Sequence, residues 1–294
     1  MAWALTIDPT LAMRIATALE IFWVYTNPSE GMRWYEDVLE AGKNAPLEVR
    51  AHALRAYGSA ANPAGDDALA ERLYEESLQA FRELGDKQSI AHLLMRIGVA
   101  ASYRGDYERA KELGVKSLRM AREVCDRSTE SLTLWLLGEA EYGLGNRAAG
   151  MELIEQSAEL AGEIGFGWQR SRMLRRLADW ALEHGDVEEA KQAVEESLRF
   201  SHELGDRISM VFALARLARI AADTGRLEQA GRLWGAVEAE EEGGALGAWY
   251  DQREKFAVPV LAHAGPEFER GHAEGRKLSL DEAVEQALTP DPEL

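Results

Sequence analysis

The sequence is poor in cysteine and proline and has no long apolar run. Cys125 is the single cysteine among 294 residues, so no disulfide can form within the chain, and this fits a reducing compartment. No apolar run approaches the length of a membrane-spanning helix, and the N-terminal residues lack the basic flank and apolar stretch of a signal peptide. We therefore expect a cytoplasmic protein that does not enter a membrane.

Positive charge is also scarce. The chain has 33 Lys and Arg residues against 51 Asp and Glu residues, which gives a formal charge of −18. A field of this sign repels phosphate backbones and anionic lipid surfaces. We expect that this chain binds no nucleic acid.

Motifs for catalysis and metal binding are missing as well. The six histidines are scattered, with no H-E-x-x-H motif and no pair one helical turn apart. No G-x-S-x-G motif occurs, and the acidic clusters are explained by solvated helix faces. We predict a protein that is not an enzyme and that needs no metal or cofactor, and an all-α hydrolase is the least supported function class.

What the chain does contain is an internal repeat of 40 residues. One series of glycines recurs at this spacing, and a second series, in which a cysteine replaces one glycine, lies half a period later. The first series is Gly65, Gly105, Gly145, Gly185, Gly225 and Gly265, and the second is Gly85, Cys125, Gly165 and Gly205. A period of this length is typical of helical solenoids.

The segments between these glycines have the pattern of amphipathic helices. In the segment from Ile90 to Ala101, apolar residues recur every three or four positions. Each break is Gly-Asp or a close variant: the glycine closes one helix in a left-handed conformation, and the aspartate caps the next helix. Short turns of this kind make neighbouring helices antiparallel. Near the C-terminus, Ser279 and Glu282 have the spacing of a capping box and predict the start of the last helix.

The repeat motif resembles a known family. The pattern Gly-Asp-x-x-x-Ala-x-x-Leu-x-x-x-Ser-Leu, followed by Leu-Gly-Asp, is similar to tetratricopeptide-type repeats in their 40-residue form. The closing segments RLWGAVEAEEE and HAEGRKLSLDEAVEQAL, and the opening segment AWALTIDPTLAMRIATALEIFWVY, resemble the ends of the helical-repeat region in large bacterial signalling ATPases and LuxR-type transcriptional regulators.

We predict an all-α fold, a right-handed tetratricopeptide-like α-solenoid of about seven antiparallel helix pairs. Residues 1–8 are expected to be the remnant of a preceding element, with an apolar patch around Trp3, and residues 9–264 to form the solenoid. Residues 265–288 are expected to form capping helices, and residues 289–294 a frayed tail. The chain has no G-x-x-x-x-G-K-[ST] motif, so the resemblance implies that an NTPase domain, where present, precedes this region in the full-length protein.

The resemblance also implies a binding surface, because the first helix of each tetratricopeptide pair lines a concave groove. The positions aligned on this face are rich in arginine and include aromatic side chains, which suit a protein, a peptide or a small anionic ligand. The candidate ligand-binding residues are His52, Arg55, Asn62, His92, Arg96, Trp135, Glu139, Tyr142, Arg172, Arg175, Arg176, Asp179, Arg216 and Arg219.

An alternative remains for the arginines. Arg175 can pair with Asp179 one turn later on the same helix, which would make this surface a solvated and self-neutralised face.

The sequence supports two hypotheses about function. The favoured one is a non-enzymatic sensor or regulatory module of a bacterial transcriptional or signalling regulator, and the alternative is a free-standing scaffold or peptide receptor that mediates protein–protein interaction.

Overall fold

The computed structural model describes residues 2–244, 246 and 249–289, and the regular structure in these residues is entirely helical. The predicted all-α fold class is confirmed. Most of the predicted frayed tail lies outside the described residues. The helices are α1 (Ala2–Ile7), α2 (Pro9–Ala18), α3 (Glu20–Thr26), α4 (Pro28–Ala41), α5 (Leu47–Ala61), α6 (Asp67–Leu84), α7 (Lys87–Tyr103), α8 (Tyr107–Glu123), α9 (Arg127–Gly143), α10 (Arg147–Glu163), α11 (Gly167–Glu183), α12 (Val187–Glu203), α13 (Arg207–Asp223), α14 (Leu227–Gly243), α15 (Trp249–Leu261), α16 (Pro266–Gly275) and α17 (Leu280–Leu288).

The turns between repeat helices have the predicted conformation. In the described chain, a residue with positive φ lies in the turn after each of the nine helices α5 to α13, and Cys125, at φ 56°, is the one such residue that is not glycine. The nine are Gly65, Gly85, Gly105, Cys125, Gly145, Gly165, Gly185, Gly205 and Gly225. The aspartate after the turn caps α6, α7, α8, α9 and α13: Asp86, for example, accepts a hydrogen bond from the backbone N–H of Ser89 at 3.1 Å. Helices α11 and α14 begin after Phe166 and Arg226, and Asp186 makes no side-chain capping bond to α12.

Gly265 departs from this series. Its φ of −174° is ordinary extended backbone, and it serves as the N-cap of α16, directly before Pro266. The left-handed turns therefore end at Gly225, because a helix that begins with proline needs an extended residue in front of it. The 40-residue spacing of Gly265 has a different structural cause from that of the other five glycines.

Small and polar residues mediate the contacts between repeat helices. A Cβ atom on Gly98 of α7 would come within 2.6 Å of the Leu136 side chain on α9, so glycine at this position lets two successive first helices pack closely. A buried serine on α6, α8 and α12 donates a hydrogen bond to a carbonyl of the preceding first helix, 26 residues earlier. Ser77 donates to Ala51 O at 2.8 Å, Ser117 to Ala91 O at 2.7 Å and Ser197 to Ser171 O at 3.1 Å.

The chain divides into two compact units, Met1–Leu153 (unit 1) and Ile154–Leu294 (unit 2), and the division falls within α10. In unit 1, α5 to α9 pack in sequence order, and α2 packs on α4 and α5. Helix α1 packs on α2 and leaves Trp3 70% exposed, while Ala4 is buried. The predicted domain boundaries at residues 8 and 264 stay a prediction.

Among the described helices, none has both the length and the apolarity required to cross a bilayer.

Unit 2 is closed by a very tight contact between α14 and α16. Both helices carry glycines four residues apart, Gly231 with Gly235 and Gly271 with Gly275. A Cβ atom on Gly271 or Gly275 would lie 1.9 Å from a backbone oxygen of α14, so the two backbones touch directly. After α16, Ser279 and Glu282 form the predicted capping box of α17, which is confirmed.

The backbone of Cys125 provides a stability test. We expect Cys125→Gly to raise the free energy of unfolding by about 1 kcal/mol, because glycine adopts positive φ without the steric cost of a Cβ atom. Cys125→Ala keeps the Cβ atom and should stay close to the wild type. The measurement is urea denaturation under reducing conditions. An equal shift in both variants would show that the thiol, and not the backbone, is responsible.

Candidate functional site

The predicted site residues lie on the first helices of the repeat pairs. In unit 1 these are α5, α7 and α9, and in unit 2 they are α11 and α13. Asn62 differs slightly, because it is the residue that ends α5. Trp135 and Arg216 are buried, at 7% and 6% exposure, and the other twelve candidates are half-buried.

Successive first helices meet through side chains 37 residues apart, one helical turn less than the repeat. In unit 2, Arg216 of α13 contacts Asp179 of α11, and in unit 1, Arg96 of α7 contacts Ser59 of α5. We call these two contacts cross-helix pairs. The sequence contains arginines at positions 96, 176 and 216, which fit the 40-residue repeat. Their contact partners could not be assigned from that period, because the contacts in the structure join residues 37 apart.

In unit 2 the cross-helix pair is a buried ion pair. Nε and Nη2 of Arg216 each donate to a carboxylate oxygen of Asp179 at 2.8 Å, and the two side chains are 7% and 17% exposed. Burial raises the pKa of Asp179, but the charge and hydrogen bonds of Arg216 outweigh this effect and hold the pKa below its ordinary value. Asp179, which the sequence offered as the partner of Arg175, thus forms its ion pair with Arg216.

Arg175 lies beside this pair. Its Nη1 donates to the hydroxyl of Ser171 at 2.8 Å, and its guanidinium is 5.7 Å from the centroid of the Phe212 ring. Burial and the neighbouring Arg216 charge lower the pKa of Arg175 to about 9, which leaves the group protonated at neutral pH. Within the described part of the chain, no carboxylate lies at ion-pair distance from Arg175.

Two further candidate arginines of unit 2 contact neighbours on their own helices. The guanidinium of Arg176 lies 4.8 Å from the Trp180 ring centroid, and Arg219 pairs with Asp223 at 3.5 Å. Arg172 is half-buried on α11. The structure therefore brings Arg175, Asp179 and Arg216 together.

In unit 1 the candidate residues gather around a carboxylate that sequence reasoning missed. Glu20, the first residue of α3, accepts a hydrogen bond from Nη1 of Arg55 at 2.9 Å, and its second carboxylate oxygen lies 2.7 Å from Nη2 in the same ion pair. Both side chains are largely buried, at 18% exposure for Arg55 and 13% for Glu20. Because α3 lies outside the 40-residue repeat, no periodicity pointed to Glu20.

Arg96 and the two histidines complete the unit 1 cluster. Nη2 of Arg96 is 3.4 Å from the Ser59 hydroxyl and 3.9 Å from Glu20. Burial, together with the charges of Arg96 and Arg55, holds the pKa of His92 well below its ordinary value. Burial and the Arg55 charge also lower the pKa of His52, whose ring meets that of Phe81 edge to face at 4.8 Å. Both imidazoles are thus neutral at pH 7.

On α9, the two aromatic candidates, Trp135 and Tyr142, leave little surface accessible to a ligand. The indole of Trp135 is buried and donates its Nε1–H to Glu139 at 3.2 Å. Tyr142 is half-buried near the end of the same helix. In unit 1 the structure therefore brings together Arg55, Arg96 and His92, and it leaves less aromatic surface than the sequence implied.

The family model described as "Tetratricopeptide repeat" matches residues 49–123, which cover α5 to α8. No curated protein matches the chain. Among solved structures, the chain is similar to aspartyl phosphate phosphatase F from Bacillus subtilis, with a TM-score of 0.68, 10% identity, and coverage of 95% of this chain and 72% of that one.

Two further structures are similar. A Rap protein complexed with Competence and Sporulation Factor has a TM-score of 0.64 and 10% identity, over 85% of this chain and 65% of that one. A signal transduction ATPase with numerous domains and a tetratricopeptide repeat sensor, from Pyrococcus horikoshii, has a TM-score of 0.60 and 16% identity, over 98% of this chain and 47% of that one. The resemblance to a tetratricopeptide-type repeat region of signalling regulators is confirmed as a likeness of fold.

The buried ion pair of unit 2 can be tested directly. We expect Asp179→Asn to lower the free energy of unfolding by about 3–5 kcal/mol at pH 7, because it leaves Arg216 buried without a counter-charge. Asp223→Asn is the matched control: it removes a carboxylate from a half-exposed contact and should cost less than about 1 kcal/mol.

The pH dependence follows from the lowered pKa of Asp179. The stabilisation by its carboxylate is complete above the unfolded-state pKa of about 3.9, and it is lost as the pH falls through the lower native pKa. The difference between wild type and Asp179→Asn, measured by urea denaturation, should therefore be constant above about pH 5 and shrink toward pH 2. Equal effects of the two substitutions, or a pH-independent difference, would contradict this description.

Proposed function

We propose that this chain is a non-enzymatic binding module that recognises a protein, a peptide or a small anionic ligand through the first helices of its repeat pairs. We propose further that it acts as the sensor part of a bacterial transcriptional or signalling regulator. The proposal combines the fold, the precedents among similar structures and the placement of the arginines.

The precedents support both parts of the proposal. One similar structure is described as carrying a tetratricopeptide repeat sensor, and another is complexed with a factor for competence and sporulation. Proteins of similar fold thus include one with a repeat sensor and one that forms a complex with such a factor. A sensing role through the first helices is proposed for this chain.

Arg175 is the observation that carries the proposal. The neighbouring Arg216 is already neutralised by Asp179, whereas the contacts of Arg175 are a neutral hydroxyl and an aromatic ring. A half-buried guanidinium in this situation gains most from an external carboxylate or phosphate, because charge-assisted hydrogen bonds are shorter and stronger than neutral ones. Its occurrence in a chain of formal charge −18 favours a selective site for anions over general attraction.

A second candidate function is a free-standing scaffold for protein–protein interaction. The exposed apolar side chains of the N-terminal helices favour it: Trp3 is 70%, Ile7 63%, Ile21 74% and Phe22 53% exposed. In a scaffold, such side chains would meet another protein. In a regulator of the resembled kind, they would meet an NTPase domain that precedes the repeats.

The binding role of Arg175 leads to a specific prediction. We expect Arg175→Gln to weaken the binding of an anionic ligand by about tenfold to a hundredfold, because one charge-assisted contact is lost. Arg199→Gln is the control, since Arg199 is exposed and pairs with Glu195 on α12, away from the first helices. Calorimetric titration against acidic metabolites, nucleotides and short acidic peptides identifies the ligand and measures both variants.

The control separates recognition from general charge. Arg199→Gln should change the affinity less than twofold, and both variants should retain the wild-type melting temperature within a few degrees. A similar loss of affinity in both variants would show that net charge alone governs binding. An unchanged affinity in Arg175→Gln would remove the arginine from the site.

A further inference from the structure

The two cross-helix pairs have the same backbone positions but different chemistry. In unit 2, the arginine at the later position meets a carboxylate, with two hydrogen bonds of 2.8 Å between Arg216 and Asp179. In unit 1, Arg96 holds the equivalent position, and Ser59 stands where the carboxylate would be, with its hydroxyl 3.4 Å from Arg96. In unit 1, Arg96 therefore faces a serine at the position where unit 2 has an aspartate.

Among the described residues of unit 1, Glu20 is the one carboxylate within ion-pair distance of Arg96, at 3.9 Å. Glu20 lies closer to Arg55, with a hydrogen bond of 2.9 Å and a second contact of 2.7 Å, so it compensates Arg96 less closely than Asp179 compensates Arg216. Arg96 is also the more accessible arginine, because its side chain is 37% exposed whereas that of Arg216 is 7% exposed. A ligand can therefore reach Arg96 from solvent.

The surroundings of Arg96 favour a negative ligand. His92 lies one turn earlier on α7, and the charged groups that act on it are Arg96 and Arg55, which together with burial keep it neutral. The cluster of Arg55, Arg96 and Glu20 then contains two positive groups and one negative group. One further carboxylate would balance the charge of these groups.

We propose that Arg96 is a carboxylate-recognition position, at which an Asp or Glu side chain of a bound acidic peptide takes the place beside Ser59 that Asp179 fills in unit 2. This inference rests on the proposed function and specifies its ligand for unit 1. The buried Tyr74 hydroxyl donates to the Ser59 hydroxyl at 3.3 Å and holds the Ser59 side chain in place beside this position. Specificity then depends on the carboxylate of the peptide and not on its backbone.

The test uses two blocked peptides that differ in their carboxylates alone, acetyl-Asp-Glu-Asp-amide and acetyl-Asn-Gln-Asn-amide. Their binding to the full chain is measured by calorimetric titration and by the NMR signals of the His92 ring. In the wild type, the acidic peptide should bind at least tenfold more tightly than the amide peptide and should shift the His92 signals. Equal binding of the two peptides, or no binding of either, overturns the inference.

Four variants locate the contact. Arg96→Gln should weaken the acidic peptide about tenfold or more and leave the amide peptide unchanged. Ser59→Asp should have the same effect, because it supplies the carboxylate from within the chain, and its melting temperature should be no lower than that of Ser59→Asn. Ser59→Asn fills the same space without the charge and should also weaken the acidic peptide, whereas Ser59→Ala leaves the space open and should bind this peptide more tightly than Ser59→Asp or Ser59→Asn.

The outcomes separate this inference from the proposed function. Should Ser59→Asp fail to fold, Arg96→Gln decides the question, since its half-exposed side chain is not part of the core. Arg175→Gln should leave the His92 response to the acidic peptide intact. If instead the preference for the acidic peptide survives Arg96→Gln and is lost in Arg175→Gln, the proposed function stands and the site at Arg96 is wrong.

Discussion

The left-handed residue at the end of each repeat helix is the constraint on which the rest of the structure depends. It stops the helices at a nearly constant length, 17 residues for each of α7 to α13, and turns the chain back on itself. Because the spacing is constant, the buried serines Ser77, Ser117 and Ser197 each meet a first-helix carbonyl 26 residues earlier. The same spacing brings first-helix side chains 37 residues apart into contact.

One geometry thus serves two purposes. Where the paired positions hold arginine and aspartate, as at Arg216 and Asp179, the contact is a buried ion pair, and the loss of one partner would leave the other as an uncompensated buried charge. Where serine replaces the acid, as at Ser59, the charge of the arginine is less closely compensated and its side chain is accessible to solvent. We therefore propose that binding occurs at the positions where a side chain departs from the repeat pattern.

The sequence predicted those features that local chemistry determines. The left-handed turns up to Gly225 and the capping box at Ser279 each depend on a few neighbouring residues and were found as expected, and an aspartate caps the next helix at each Gly-Asp or Cys-Asp turn except at Asp186. Gly265 is extended for a local reason too, because Pro266 follows it. Features set by tertiary packing were not predictable in this way: the ion partner of Asp179 and the Glu20 contact of Arg55 involve helices distant in sequence.

The most direct test of this account is the removal of one complete repeat, residues 105–144, from unit 1. The deletion joins Arg104 to Gly145, so a left-handed glycine remains at the junction. If constant helix spacing determines all other contacts, circular dichroism should show the same helical signal per residue as in the wild type, with cooperative thermal unfolding. Loss of the helical signal across the whole molecule would contradict the account, because it would show that the helices depend on contacts beyond their nearest neighbours.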